Sequence, residues 1–165
     1  MKLRPRRSHA TPAAALGADP MAWLAFGLGT GLSPVGPGTL GALLGLPLAW
    51  GLRLAGPPAF AAVTAFITIA GIALCGHTAR RLGVHDHPGI NIDEVAGQLI
   101  ACAAIPAGWP WFALAFVFFR VLDIAKPWPI GWVDKRLGGG LGIMADDVVA
   151  GVAAGAILWG LAQVA

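Results

Sequence analysis

The sequence predicts an all-α protein, a polytopic membrane helical bundle of about five transmembrane or membrane-embedded helices. Three observations carry that reading. Hydrophobic residues make up 57% of the chain and charged residues only 12%, and the mean hydropathy is +0.74, a far more apolar balance than that of an ordinary soluble domain. The apolar residues gather into runs parted by Pro and Gly breaks. Finally, Asp93, Glu94, Asp123, Asp146 and Asp147 stand beside or inside those runs, where an uncompensated carboxylate is costly and needs a metal, cationic partners or water.

The elements follow in order. Lys2, Arg4, Arg6 and Arg7 lie together with no acidic neighbour, so residues 1–22 read as a basic, disordered cytoplasmic tail held near anionic lipid. The patch is too small to argue for nucleic acid, and no apolar stretch follows it as a signal peptide requires. Residues 23–165 read as one membrane-embedded domain, since no linker divides them. The first helix covers residues 39–54, with Thr39 as its N-cap after Pro37-Gly38. Gly56-Pro57-Pro58 then makes a tight hairpin turn, and residues 59–75 form the second helix, ending towards His77 and Arg80-Arg81. Residues 95–105 and 111–122 are each shorter than the roughly 20 residues of a full span. They read as two antiparallel helices extended at their polar ends by Asp93/Glu94 and by Asp123. The fifth helix, residues 148–164 with a start near Ile143, is rich in the small residues that let membrane helices approach closely. Cys75 and Cys102 lie in apolar segments without metal-type spacing and read as buried thiols.

Basic loops stay cytoplasmic. With the amino-terminal cluster inside, Arg80/Arg81 and Lys126/Lys135/Arg136 also fall inside, and Arg53 falls outside. All five carboxylates, the Ser33 to Thr39 stretch and Val84-His85-Asp86-His87 then collect on the cytoplasmic face. That distribution points to a single cytoplasm-facing site.

The chemistry of that site follows from residue type. Adjacent residues on a helix point about 100° apart, so Asp93 and Glu94, or Asp146 and Asp147, do not easily share one ion. One carboxylate from each of three helix ends gives a hard, all-oxygen pocket suited to Mg²⁺ with a phosphate as co-ligand. Which member of each pair takes part stays open, because an acid opening a helix also complements the helix dipole. Asp123 ends a helix, where the dipole disfavours it. Arg120 shares a face with Asp123 and can pair with it. Alternatively, Arg120 and Lys126 form a cationic clamp on a phosphate. Trp128 and Trp132 read as an interfacial aromatic belt. Ser33 and Thr39 flank a glycine-containing turn before a helix, a candidate anion site, and His85 is a candidate for proton transfer. The chain has no Ser-His-Asp pattern, CxxC pair or Walker-type loop, so metal-assisted attack of water fits better than a covalent intermediate.

Several motifs in one order match something specific: Leu32-Ser33-Pro34 with Pro37-Gly38-Thr39, Val84-His85-Asp86-His87, Asp93-Glu94, Phe119-Arg120 through Lys126-Pro127-Trp128-Pro129, and Gly139-Gly140-Leu141-Gly142-Ile143-Met144 with Asp146-Asp147. From about Gly27 to about Ala156 the chain resembles the phosphatidylglycerophosphatase A family. It departs from the family pattern at Ile92, where an aromatic residue is expected, and at Gly138, where a histidine is expected.

The resemblance implies a Mg²⁺-dependent phosphatase of the bacterial inner membrane that converts phosphatidylglycerophosphate to phosphatidylglycerol and inorganic phosphate. By motif position it carries the family's acidic residues to Asp93, Glu94, Asp123, Asp146 and Asp147, and its basic ones to Arg120 and Lys126. The resulting expectation puts Mg²⁺ on Asp93 or Glu94 with Asp123 and one of Asp146 and Asp147. Asp93, Asp123, Asp147 and His85 are the candidate catalytic residues, and Arg120, Lys126, Ser33 and Thr39 the candidate phosphate-binding ones. The partners are the lipid substrate and the bilayer, and a homo-oligomer is compatible with the sequence without being specified by it. The rival readings are an ion- or proton-coupled transporter, which wants polar residues strung through the membrane depth, and a non-catalytic lipid-binding membrane protein.

Overall fold

Proline in the first turn of a helix sacrifices no hydrogen bond, and its fixed φ suits the helix. That rule sets most of the boundaries in the computed structural model, which describes residues 12–164. Pro20, Pro37, Pro57 and Pro110 each lie at the start of a helix, and Gly36, Gly56 and Gly108, which precede three of these starts, take φ values of 54°, 94° and 120°. Among the described residues the regular elements are all helical: α1 (Pro12–Leu16), α2 (Pro20–Ala25), a 3-10 segment (Gly27–Leu32) kinked at Leu28 and Gly29, α3 (Pro37–Leu54), α4 (Pro57–Leu82), α5 (Ile92–Cys102), α6 (Trp109–Ala125), α7 (Ile130–Arg136) and α8 (Gly139–Ala162).

Several boundaries differ from the sequence reading. Residues 1–11 of the expected tail lie outside the described residues, but residues 12–22 belong to α1 and α2. Asp19 caps α2 by accepting from the backbone N–H of Met21 at 3.0 Å and pairs with His77 at 2.7 Å and Arg81 at 3.2 Å on α4. This ties a short segment down despite its weak propensity. Thr39 is not an N-cap, because Gly36 and Pro37 open the helix earlier and no side chain caps it. Helix α4 continues past Cys75, so His77, Arg80 and Arg81 are helical. Helix α8 begins at Gly139, which puts Asp146 and Asp147 about two turns inside it. Dipole complementarity fades beyond the first turn, so helix capping does not account for that pair.

The packing is organised around α5, whose residues are buried among α3, α4, α6 and α8. The closest approach is between α5 and α8 at Gly97 and Gly151. A Cβ on Gly97 would stand 2.5 Å from Phe119 Cε2 and 2.8 Å from the Asp147 carbonyl oxygen. A Cβ on Gly151 would stand 3.1 Å from Gly97 Cα and nearer still to the Gly97 carbonyl oxygen. Only glycine permits backbones to meet this closely. Around the crossing, Leu99, Cys102, Phe119, Ala150, Ala154 and Leu158 form a buried apolar cluster. A second cluster, with Phe26, Cys75, Ala96 and Met144, joins α2 to α4, α5 and α8. Both cysteines are buried and free, as expected.

Helices α4 and α8 are long and apolar enough to cross a membrane. Within the most apolar 18 residues of α4 only 22% are buried inside the protein, and Phe66 and Ile69 remain 72% and 69% exposed. An apolar face of that size needs an apolar medium. Helix α5 has 11 residues, a rise of about 17 Å, which is short of the roughly 30 Å hydrocarbon core.

Candidate active site

Asp93 and Asp147 occupy equivalent places relative to the glycine crossing, since Gly97 lies one turn after Asp93 on α5 and Gly151 one turn after Asp147 on α8. Residues four apart stack on one helix face, so the contact that brings the two backbones together also brings the two carboxylates together. Glu94 joins them: one ligand oxygen from each of Asp93, Glu94 and Asp147 lies within 4.8 Å of the other two. The adjacent pair Asp93/Glu94 therefore does converge on one point, against the expectation from the 100° rotation. Glu94 has one more methylene than Asp93, which lets its carboxylate reach back across that angle. Asp93 and Asp147 are 6% and 4% exposed.

The other two acids are already neutralised. Asp123, in the last turn of α6, accepts a short hydrogen bond from Arg120 Nη1, so the ion pair read from their spacing is formed. Arg120 Nη1 also lies 4.0 Å from Glu94 Oε1, and Nη2 donates to Thr39 Oγ1 at 3.4 Å. Asp146, next to Asp147, turns the other way, and Lys126 Nζ donates to its Oδ2 at 2.6 Å and to Asp134 Oδ1 at 2.8 Å. Burial alone pulls the Lys126 ammonium down, but its bonds to Asp134 and Asp146 outweigh that and leave its pKa raised. Lys126 closes α6 in the left-handed region with φ 44°, a conformation uncommon for a residue with a side chain.

A cavity of ≈ 150 Å³ opens onto this cluster, lined by Asp93, Glu94, Asp123, Lys126, Asp146 and Asp147 together with His85. His87 is turned elsewhere. Its Nδ1 accepts from the Gly89 N–H at 3.0 Å and its ring lies 5.5 Å from that of Phe26, with burial holding its pKa low. Ser33 and Thr39 do not line the cavity. Ser33 Oγ donates to the Val35 carbonyl at 2.8 Å and stabilises its own turn, and Thr39 supports Arg120. The start of α3 faces a side-chain carboxylate: a Cβ on Gly38 would stand 3.0 Å from Glu94 Cδ and 3.4 Å from Arg120 Nη1.

Asp86, read with His85 as part of the cytoplasm-facing cluster, also lines the cavity, and so does Asp134, which sequence reasoning passed over. The signal for Asp134 was present, since it is the one acid in the basic stretch from Lys126 to Arg136.

The donor set fits a divalent cation. Asp93 Oδ1, Glu94 Oε2 and Asp147 Oδ1 are buried side-chain oxygens without a hydrogen-bond partner among the described residues. Buried polar atoms are normally satisfied, and three carboxylates this close repel one another. A hard cation bound by oxygens answers both conditions. The acids thus divide as Asp93, Glu94 and Asp147 around the open point, Asp123 on Arg120, and Asp146 on Lys126.

The comparisons with known proteins agree in direction. A family model described as Phosphatidylglycerophosphatase A matches residues 23–162. The chain is similar to Phosphatidylglycerophosphatase A of Escherichia coli (strain K12), 42% identical over 161 residues that cover 96% of this chain and 93% of that protein. It is also similar to Phosphatidylglycerophosphatase A of Haemophilus influenzae (strain ATCC 51907 / DSM 11121 / KW20 / Rd), 44% identical over 136 residues, 81% of this chain and 83% of that protein. No solved structure matches the chain.

Proposed function

The chain belongs to the phosphatidylglycerophosphatase A family, and from that premise we propose that it is a membrane lipid phosphatase. It hydrolyses the terminal phosphomonoester of phosphatidylglycerophosphate, giving phosphatidylglycerol and inorganic phosphate, by Mg²⁺-assisted attack of water at the cytoplasmic face of a bacterial inner membrane. The single observation that carries the site assignment is the set of three buried, unpartnered carboxylate oxygens on Asp93, Glu94 and Asp147.

Those three residues would hold Mg²⁺, which would supply Lewis-acid charge beside the phosphoryl group and lower the pKa of water there. Lys126, fixed by Asp134 and Asp146, presents its ammonium to the substrate phosphate. Arg120 keeps Glu94 in place from one side and adds positive charge where the equatorial oxygens become more negative. The attacking water meets phosphorus opposite the glycerol oxygen, and the phosphorus–oxygen bond to glycerol breaks. His85, on the cavity wall, takes the proton from the water at a ring nitrogen, and the departing glycerol oxygen takes its proton from solvent at the cavity mouth. Asp123 and Asp146, each engaged by a cation, act as positioning residues.

The membrane arrangement we propose has α3, α4, α6 and α8 crossing the bilayer, with the shorter α5 packed among them and reaching the far side through residues 103–108, where Arg53 donates to the carbonyls of Ile105 and Pro106. In this arrangement the basic residues of α7 and of the end of α4 lie on the cytoplasmic side, consistent with the bias of cytoplasmic loops towards Lys and Arg. The test is release of inorganic phosphate from phosphatidylglycerophosphate by the purified full chain, with Mg²⁺ and with a chelator. Metal-dependent release that disappears in Asp147→Asn is expected. No release from the wild-type chain, or full release from Asp147→Asn, overturns the proposal.

A further inference from the structure

A cavity larger than the one at the acidic site lies elsewhere in the bundle. It measures ≈ 660 Å³ and lies between the end of α3, the first half of α4 and the end of α5, with Arg53, Phe60, Thr64, Thr68, Ile69 and Ile100 on its walls. Arg53 is shared with a second apolar hollow of ≈ 330 Å³ on its other side, formed with Trp50, Leu54 and Phe112. From the structure we infer that this groove is a binding site for a phospholipid with an anionic headgroup, whose phosphate rests on Arg53 and one of whose acyl chains fills the larger cavity. The inference stands independently of the phosphatase reading.

No Asp, Glu, Lys, Arg or His occurs in residues 54–76, 95–119 or 148–164, so Arg53 meets no charged side chain from these segments. It has no carboxylate partner among the described residues. Its Nη atoms donate to the carbonyls of Ile105 and Pro106, and its guanidinium lies 5.6 Å from the centre of the Phe112 ring. An arginine has five N–H donors, so these contacts fix the head group in place while leaving both charge and donors to spare. The start of α4, with its positive dipole end, lines the same cavity through Gly56 and Pro57. A zwitterionic headgroup would bring an ammonium for which these segments offer no side-chain carboxylate.

The depth of the groove matches a lipid chain. From Phe60 to Ile69 the wall of α4 descends about 14 Å, close to half of the roughly 30 Å hydrocarbon core. Thr64 is 9% exposed, and its Oγ1 is buried without a hydrogen-bond partner among the described residues. It lies one turn further in than Phe60, at the depth where the ester carbonyls of a glycerophospholipid follow its phosphate.

Native mass spectrometry of the full chain released from detergent micelles tests this, with dioleoylphosphatidylmethanol as the anionic probe and dioleoylphosphatidylcholine as the zwitterionic one. Neither is a substrate or product of the proposed reaction. The wild-type chain should bind the anionic lipid about tenfold more tightly, the scale of a charge-assisted hydrogen bond, and Arg53→Gln should lose that preference. Ala65→Trp, at an exposed position on the groove wall, should weaken both lipids by blocking the chain path, and it keeps the test open if Arg53→Gln does not fold. Equal binding of the two lipids by the wild-type chain overturns the inference. So does an unchanged preference in folded Arg53→Gln, or binding by Ala65→Trp within twofold of wild type.

Discussion

Replacing Gly97 by alanine tests whether the helix crossing builds the site. The added Cβ would lie 2.8 Å from the Asp147 carbonyl oxygen, about 0.6 Å inside the 3.4 Å at which ordinary contact begins. The obstructing atom belongs to the backbone of the very residue whose carboxylate completes the cluster. Phe119 Cε2, at 2.5 Å, blocks the other direction, so α8 has to move away from α5. Overpacking of this kind costs about 1–3 kcal/mol, which leaves a folded protein whose Asp147 is displaced from Asp93 and Glu94. A misplacement approaching 1 Å in a catalytic constellation lowers the rate by roughly a hundredfold. The assay is release of inorganic phosphate from phosphatidylglycerophosphate at saturating Mg²⁺, with helical content and melting measured on the same samples. Gly160→Ala is the matched control, because a Cβ there meets nothing within 4 Å. It should retain full activity. A Gly97→Ala enzyme with kcat/KM within twofold of wild type would show that the crossing does not position the acids, and the reasoning would fail.

Four further outcomes follow from the geometry. Asp93→Asn and Asp147→Asn should each lower phosphate release by more than about a hundredfold and raise the Mg²⁺ concentration needed for half-maximal rate, whereas unchanged Mg²⁺ dependence would remove them from the ligand set. Ser33→Ala should stay within about twofold of wild type, since Ser33 bonds only within its own turn; a drop of about a hundredfold or more in kcat/KM would restore it to the phosphate site. His85→Ala should lower kcat by about a hundredfold, the scale of a lost general base, read as phosphate release at saturating lipid; an unchanged kcat would take His85 out of the proton transfer. Lys126 has a raised folded pKa, so its stabilising contact is fully present below the unfolded value of about 10.4 and is lost only as pH rises through the folded one. The melting-temperature gap between wild type and Lys126→Met should therefore stay constant between about pH 7 and about pH 10, and a gap that closes across that interval contradicts the sign.

The apolar runs made the main helices legible, because burial in lipid and burial in a bundle both demand them. What the runs could not give was where each helix starts. Thr39 read as a cap, but Gly36 and Pro37 together open α3 earlier. The fifth helix read as starting near Ile143, but α8 begins at Gly139, where Gly140 fits against Gly76 of α4 at a distance no larger residue allows. Helix α7 and the segment 12–25 were missed for a different reason. They are too short to show periodicity, and their positions are set by pairs outside the helix itself, Asp19 with His77 and Asp134 with Lys126. At the site, residue types were legible and pairing was not. Charge in an apolar run marked all five acids, but which three converge depends on a crossing point that only the folded backbone reveals.

The length of α5 then decides how a lipid can reach the acids. Its rise of about 17 Å is little more than half of the membrane core, while α4 and α8 extend well beyond it at 26 and 24 residues. Asp147 lies eight positions into α8 from Gly139, about 12 Å along the axis. The carboxylates are therefore recessed below the ends of the longer helices, at the base of a cavity of ≈ 150 Å³. That is smaller than the roughly 300–1,000 Å³ of a pocket that swallows a whole small molecule, so it suits a terminal phosphate and excludes the diacylglycerol body. A phosphomonoester at the tip of a headgroup can enter while the acyl chains stay in the bilayer, whereas a phosphodiester flanked on both sides cannot. The exposed indoles of Trp128 and Trp132, on the segment that follows Lys126, are suited to the interfacial depth where such a headgroup lies. Selectivity for the terminal phosphate is then a consequence of recess and size, and it requires no residue dedicated to recognising glycerol.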